Sequence, residues 1–266
     1  MSAIELHARA SEGFEAKLAA TALLLQSAAD TLGPVTQASS LGAEDVVITH
    51  LINRMELAIP VFVLETGMLH PQTLDLLERT RTSSRTPIHV YRPSNETVIR
   101  FVDREGKDAM FKSVELRKAC CHIRKVEPLE RALAGKKAWI TGLRREQSHT
   151  RAEVPMIDTA DVATTGRIKL NPLADWTWGD VWHYMQQHQV DYNPLHDDFF
   201  PSIGCAPCTR AISLGEDFRA GRWWWEDEAA KECGLHVATS SAVPTVEAVP
   251  QTTTALRQGQ GERSTA

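Results

Sequence analysis

Residues 33–47 read GPVTQASSLGAEDVV. The first half, GPVTQASS, is a short β-like run closing on small polar residues, and GAEDVVITHLINRM (42–55) continues as a helix. Strand, tight turn and helix together form one half of a βαβ unit. The backbone N–H groups at the helix start, with Ser39, Ser40 and Gly42, are placed to cradle a phosphate. The pattern is neither G-x-x-x-x-G-K-[ST] nor G-x-G-x-x-G, so taken alone it reads equally well as an ordinary βα turn.

The same alternation continues on the C-terminal side. AIPVFVLETG (58–67) is a buried strand and HPQTLDLLERTRT (70–82) its helix; TPIHVYRP (86–93) and SNETVIRFVDREG (94–106) repeat the pair. KKAWITGLRR (136–145) and TGRIKLNPLADW (165–176) supply a fourth and a fifth strand. In TWGDVWHYMQQHQV (177–190), Thr177 as N-cap with Asp180 three positions on approaches a capping box. This spacing predicts an α/β fold with a doubly wound, mostly parallel sheet. The opening MSAIELHARASEGFEAKLAATALLL mixes acids with apolar residues and reads as an amphipathic helix, not a signal peptide. Beyond CGLH (233–236) the chain turns rich in Thr, Ser, Gln and Ala and reads as a disordered tail over 237–266.

Composition narrows the function. A net charge of -5 over 266 residues argues against a general nucleic-acid or anionic-membrane binder, so any anionic ligand must be met by local basic clusters. With no run able to span a bilayer, the expected location is the cytoplasm, where cysteines stay reduced. Five cysteines are present. Cys120 and Cys121 are adjacent within KSVELRKACCHIRKVEPLERAL (112–133), and Cys205 and Cys208 form a C-x-x-C pair in GCAPC. Four thiolates suit tetrahedral zinc or an iron–sulfur cluster. Neighbouring side chains diverge and serve one compact ion poorly, which favours a cluster with its irons apart in space; buried unliganded cysteines are the bland alternative. Cys233, in KECGLH between Lys231 and His236, has the basic surroundings of a usable nucleophile, although an incidental surface thiol would look similar.

Arginines gather near these elements: Arg144, Arg145 and Arg151 in GLRREQSHTR, Arg219 and Arg222 in EDFRAGRWWWE. Guanidinium forks suit phosphate or sulfate oxygens, and for any single arginine a solvated basic face is the competing role. Six of the seven tryptophans lie in DWTWGDVWHYM and RWWWE, where core packing is the default. His183 and His196 lack a partner at metal spacing and read as structural or surface residues.

SSLGAEDVV, LETG, CC-x-IRK-x-EPL, TGLRR, IGCAPCTR, GRWWWE and KECGLH stand in the order seen in assimilatory sulfonucleotide reductases, and the chain resembles the iron–sulfur type that acts on adenosine 5′-phosphosulfate (APS). The resemblance covers about residues 34–236. It implies a fold like that of the adenine-nucleotide α-hydrolases (PP-loop type). The implied organisation is a helical segment 1–33, a reductase domain 34–236 with a catalytic C-terminal segment near 223–236, and the tail. It also implies a [4Fe–4S] cluster on Cys120, Cys121, Cys205 and Cys208, and Cys233 as nucleophile. The substrate contacts it implies come from Ser39, Ser40, Gly42, Thr66, Gly67, Lys125, Arg151, Arg219 and Arg222, with Arg144, Arg145 and His236 as further candidates. The expected partners are APS and thioredoxin or a glutaredoxin-like thiol, with a homo-oligomer left open. The variant phosphorylated on the ribose, PAPS, is the alternative substrate; a PP-loop adenylating enzyme and a zinc-bearing binding module are alternatives from other classes. Three positions depart from close relatives: Leu41 for a serine, Glu65 for the usual aspartate, and Arg117 where some carry histidine.

Overall fold

The computed structural model describes residues 1–213 and 215–227. In chain order its elements are α1 (Ala3–His7), α2 (Phe14–Thr31), β1 (Val35–Ser39), α3 (Ala43–Arg54), β2 (Val61–Leu64), α4 (Pro71–Ser83), β3 (Ile88–Tyr91), α5 (Asn95–Glu105), α6 (Val114–Cys121), α7 (Glu127–Leu133), β4 (Ala138–Ile140), β5 (Ile157–Asp158), α8 (Val162–Thr165), β6 (Ile168–Leu170) and α9 (Trp178–His188). The strands form one sheet in the order β3-β2-β1-β4-β6-β5. All neighbours run parallel except β5, which pairs antiparallel with β6. That short edge strand carries little apolar sequence and has no counterpart in the pattern of alternation.

β1 sits in the middle, buried on both faces as parallel strands require. Its polar residues survive there because each finds a partner. The Gln37 amide donates to the Asp45 carbonyl at 2.8 Å and accepts from the Thr49 hydroxyl at 2.9 Å. Val47, Ile48, Leu51 and Ile52 of α3 pack one face of the sheet. Phe62, Leu129, Ala132, Leu133 and Trp139 form a second cluster joining the sheet to α7. The opening segment is two helices rather than one, broken at residues 8–13. Both join the main core through Ala3, Phe14, Leu25 and Ala28. Ser11 and Lys17 bind the buried carboxylate of Asp180, which also completes the capping box with Thr177 at the start of α9.

The order 3-2-1-4 makes the gap between β1 and β4 a topological switch point, where loops leaving the carboxyl ends of the strands part in opposite directions. In such sheets the ligand crevice forms there.

Candidate active site

A cavity of about 200 Å³ opens at that switch point. Ser39, Ser40 and Gly42 line it after β1, Thr66 after β2, and Thr141 and Gly142 after β4. Between Ser40 and Gly42 the chain passes through Leu41, buried and left-handed at φ 61°. A branched side chain pays roughly 1–2 kcal/mol for that backbone, and such residues recur at functional sites. The payoff is a turn in which the Ser39 hydroxyl accepts from the Leu41 N–H at 3.2 Å and the Ser40 hydroxyl from the Gly42 N–H at 3.3 Å.

Asp45, in the first turn of α3, braces this loop. Its Oδ2 accepts from the Ser40 N–H at 2.6 Å and the Ser40 hydroxyl at 2.7 Å. Gly142 is required opposite it, since a Cβ there would lie 2.5 Å from Asp45 Oδ1 and 2.8 Å from Glu44 Cβ. Burial pushes the Asp45 carboxyl up to about 6, against the opposing pull of the Ser40 hydrogen bonds. A carboxyl raised on folding contributes stability that is complete below its unfolded value of about 4 and is lost as pH rises through the folded value. Asp45→Asn is therefore expected to flatten the pH dependence of the melting temperature between about pH 4 and 6, measured on ligand-free protein. An unchanged slope would mean that Asp45 stays ionised in the fold.

Basic groups come from three directions. Lys125, Arg151, Arg219 and Arg222 all line the cavity. Arg222 is only 7% exposed; it donates weakly to Ser202 Oγ at 3.4 Å and the Ile203 carbonyl at 3.3 Å. Its Nε has no hydrogen-bond partner among the described residues. Gly204 lies beneath, where a Cβ would collide with the guanidinium at 2.4 Å. Arg151 is aimed through a relay: Arg144 and the Gln147 amide both donate to Glu44 Oε1, at 2.9 and 2.8 Å, and Arg151 donates to Gln147 Oε1 at 2.6 Å.

Arg144 and Arg145 themselves do not line the cavity. Arg144 is fully buried, paired with Glu44 and Glu146 and flanked by the rings of Trp178 and Phe218 at 5.3 and 5.7 Å. Arg145 turns outward to Asp175 and the Val154 carbonyl. Gly67 also lies off the cavity wall. It takes the left-handed turn at φ 73°, donates to Glu65 Oε1 at 2.6 Å, and leaves room for Arg124 to reach the Thr66 carbonyl at 2.7 Å. His196 is buried, bonded through Nδ1 to the Phe200 carbonyl and lowered by desolvation to about 4; His183 packs edge-on against Phe14. Both are structural. Cys233 and His236 lie outside the described residues.

The other four cysteines meet around a second, smaller apolar cavity together with Met68, Met110 and Trp223. How adjacent cysteines share one wall is explained by the helix they end. α6 runs into a π-helical turn, His122–Val126, before α7. Pro128 has no N–H for the Arg124 carbonyl and its ring would clash there, so the wider turn absorbs the misfit. Cys205 is pinned from the other side by a bridge to Leu69, the Ala206 N–H donating to the Met68 carbonyl at 2.7 Å, and a 3.3 Å contact with the Thr66 hydroxyl. Burial raises the Cys120 thiol, and raises Cys208 to about 12.

Among the described residues no three His, Cys, Asp or Glu side chains form a group that could hold a metal ion, so a metal centre rests on donor chemistry rather than a preformed cage. That chemistry fits an iron–sulfur group: four sulfur donors, none in a disulfide, share an apolar cavity in which thiolates need positive charge to persist. Lys125 lines both cavities.

The residues that sequence reasoning passed over, Asp45, Gln147, Thr141 and Gly142, are those whose work is to brace others. For Asp45, Thr141 and Gly142 a signal existed, since they sit in motifs already quoted, GAEDVV and TGLRR. Gln147 becomes visible only once Glu44 and Arg151 are seen to meet.

Residues 34–211 match the phosphoadenosine phosphosulfate reductase domain. The chain is 51% identical over 218 residues to adenosine 5′-phosphosulfate reductase of Allochromatium vinosum, covering 82% of this chain and 84% of the relative. It is 53% identical over 207 residues to the protein of the same name from Burkholderia cepacia, covering 78% and 82%. Among solved structures it is similar to phosphoadenylyl-sulfate (PAPS) reductase from Candida auris in a phosphate complex, with TM-score 0.60, 27% identity, and 72% and 90% of the two chains covered. Candida glabrata FMN adenylyltransferase shares the fold alone, with TM-score 0.52, 13% identity and coverage of 78% and 72%. The sheet order and these neighbours agree with the expected mostly parallel α/β fold of PP-loop type. With the family model spanning residues 34–211 and half of all aligned positions identical to proteins named as reductases, this chain belongs to the sulfonucleotide reductases, an enzyme family carrying the phosphoadenosine phosphosulfate reductase domain.

Proposed function

We propose that the protein reduces adenosine 5′-phosphosulfate to sulfite and AMP, within a reductase unit spanning 34–236 whose catalytic segment is near 223–236. The observation that carries this reading is Lys125, a cation lining both the switch-point cavity and the four-cysteine cavity. A basic, phosphate-sized crevice alone would suit many nucleotide enzymes. One whose lysine also borders four thiols, three of them buried, suits a sulfur–oxygen bond cleaved beside a cluster.

In this reading the loop of Ser39, Ser40 and Gly42 takes the nucleotide side, with Thr66 at the neighbouring strand end. Lys125, Arg151, Arg219 and Arg222 meet the phosphosulfate. Cys120, Cys121, Cys205 and Cys208 would hold a [4Fe–4S] group, whose role there would be electrostatic and structural and need not involve a change of redox state. The Cys233 thiolate attacks the sulfonyl sulfur and the bond from sulfur to the phosphate oxygen breaks. AMP leaves with the electron pair, and Cys233 carries an S-sulfonate. Thiolate and phosphosulfate are both anionic, so the cations lower their repulsion and stabilise charge growing on the leaving phosphate. A dithiol protein such as thioredoxin then attacks the Cys233 sulfur and sulfite departs. Its second thiol resolves the mixed disulfide, so the dithiol is oxidised by two electrons as sulfate-level sulfur falls to sulfite. The reduced cytoplasm is the fitting setting for that chemistry.

The test is intact-protein mass after anaerobic incubation with APS and no thiol, with PAPS in parallel. An S-sulfonate on Cys233 from APS alone is the expected result. Adduct from PAPS alone would overturn the substrate, adduct from both would make the enzyme tolerant of either, and adduct from neither would remove the mechanism.

A further inference from the structure

The last described turn, Arg222–Glu226, is fastened at both ends. Arg222 bridges to Thr209, and the Trp223 N–H donates to the Cys208 carbonyl at 3.2 Å. The buried Trp223 ring lies between two guanidinium groups, Arg117 at 4.6 Å and Arg222 at 4.7 Å from its centroid. Glu226, its side chain 3% exposed, accepts a two-pronged bond from Arg117 at 2.9 and 2.7 Å. Two charges so removed from water persist only in good geometry, and truncating either partner of such a pair is strongly destabilising. The turn is therefore rigid, and what it displays is built.

What it displays is aromatic. Trp224 is 41% exposed beside Phe111, which is 43% exposed, and Trp225 packs against both, 4.8 Å from Trp224 and 4.5 Å from Phe111. Large exposed rings fixed on a rigid frame make low-entropy anchors for a protein partner. Asp227, which follows this turn, stands six residues before Cys233 in the sequence. Six residues span at most about 20 Å. Any protein that brings a thiol to Cys233 must come within that distance of the aromatic surface.

We propose that Phe111, Trp224 and Trp225 form the docking surface for the thiol-bearing protein reductant that discharges the Cys233 adduct. This rests on the mechanism above. A small thiol needs no such surface, which separates docking from chemistry. The experiment uses full-length, cluster-loaded Phe111→Ala and Phe111→Ser proteins with three readings: sulfonate formation from APS, sulfite release by excess dithiothreitol, and sulfite release against thioredoxin concentration.

The first two should match the unmodified enzyme, while thioredoxin efficiency falls about 10- to 30-fold, the loss expected of an interface anchor. An unmoved thioredoxin curve overturns the proposal. A parallel fall with dithiothreitol overturns it too, because the rings would then serve the fold. A faster dithiothreitol reaction would assign the surface to the chain's own residues beyond Asp227. A dimer becoming a monomer with the thioredoxin curve unmoved would assign it to a second copy. If the unmodified enzyme forms no adduct at all, the mechanism fails first and the dock falls with it.

Discussion

Cys233→Ser protein is expected to release no sulfite from APS, a loss of about 10⁴-fold or more, while keeping its iron and its brown colour. A serine hydroxyl has the shape of the thiol but stays protonated at neutral pH and has no neighbouring group assigned to activate it, so the attack on the sulfonyl sulfur is lost outright. The four proposed ligand cysteines all lie around the cavity beside Trp223, each within the described residues. Nucleophile and cluster should therefore separate cleanly. A sulfite assay, iron analysis and the intact-mass experiment on one preparation decide the matter. Loss of iron in this variant would make Cys233 a contributor to the cluster and end the division of roles.

The second large effect is expected at Cys208→Ala, where iron and activity disappear together. Cys208 is buried, and its backbone holds the local geometry: its carbonyl accepts from Trp223 and its N–H donates to the Cys205 carbonyl. Alanine keeps both bonds and removes only the sulfur. As a mere packing change, trimming one small buried atom costs about 1 kcal/mol and would leave activity close to normal. As a lost ligand, it would remove the cluster's electrostatic and structural support. Iron analysis with turnover distinguishes these outcomes. An iron-free variant that still turns over would sink the ligand assignment, and zinc in the unmodified protein would redirect it.

Much of this was open to reading along the chain. The alternation of apolar runs with periodic helices forecasts a mostly parallel sheet because buried parallel strands and their crossover helices impose those two periods. Short-range chemistry was equally visible: the Thr177–Asp180 cap and the C-x-x-C turn both depend on a spacing of three residues. The single opening helix was not forecast correctly, because Gly13, with its left-handed backbone, interrupts a pattern that apolar spacing alone would continue. The antiparallel β5 was missed because two residues are too few to carry a period.

The basic cluster marks the boundary most sharply. Arg144, Arg145 and Arg151 look alike in GLRREQSHTR, and nothing local says which one faces a ligand. The choice is made by Glu44, a hundred residues earlier, which neutralises Arg144 inside the core and, through Gln147, aims Arg151 into the crevice. The paired cysteines behave the same way. Their identity and spacing made a metal-binding chemistry an expectation, but that both line one cavity with the other pair is decided by the fold, where a strand-end loop brings Cys205 to Leu69. Sequence by itself determined the supply of thiols and cations, the strand order's raw material and the family. The tertiary structure decided which charges are spent on one another and which remain turned toward a ligand, because that depends on partners the chain brings together only when it folds.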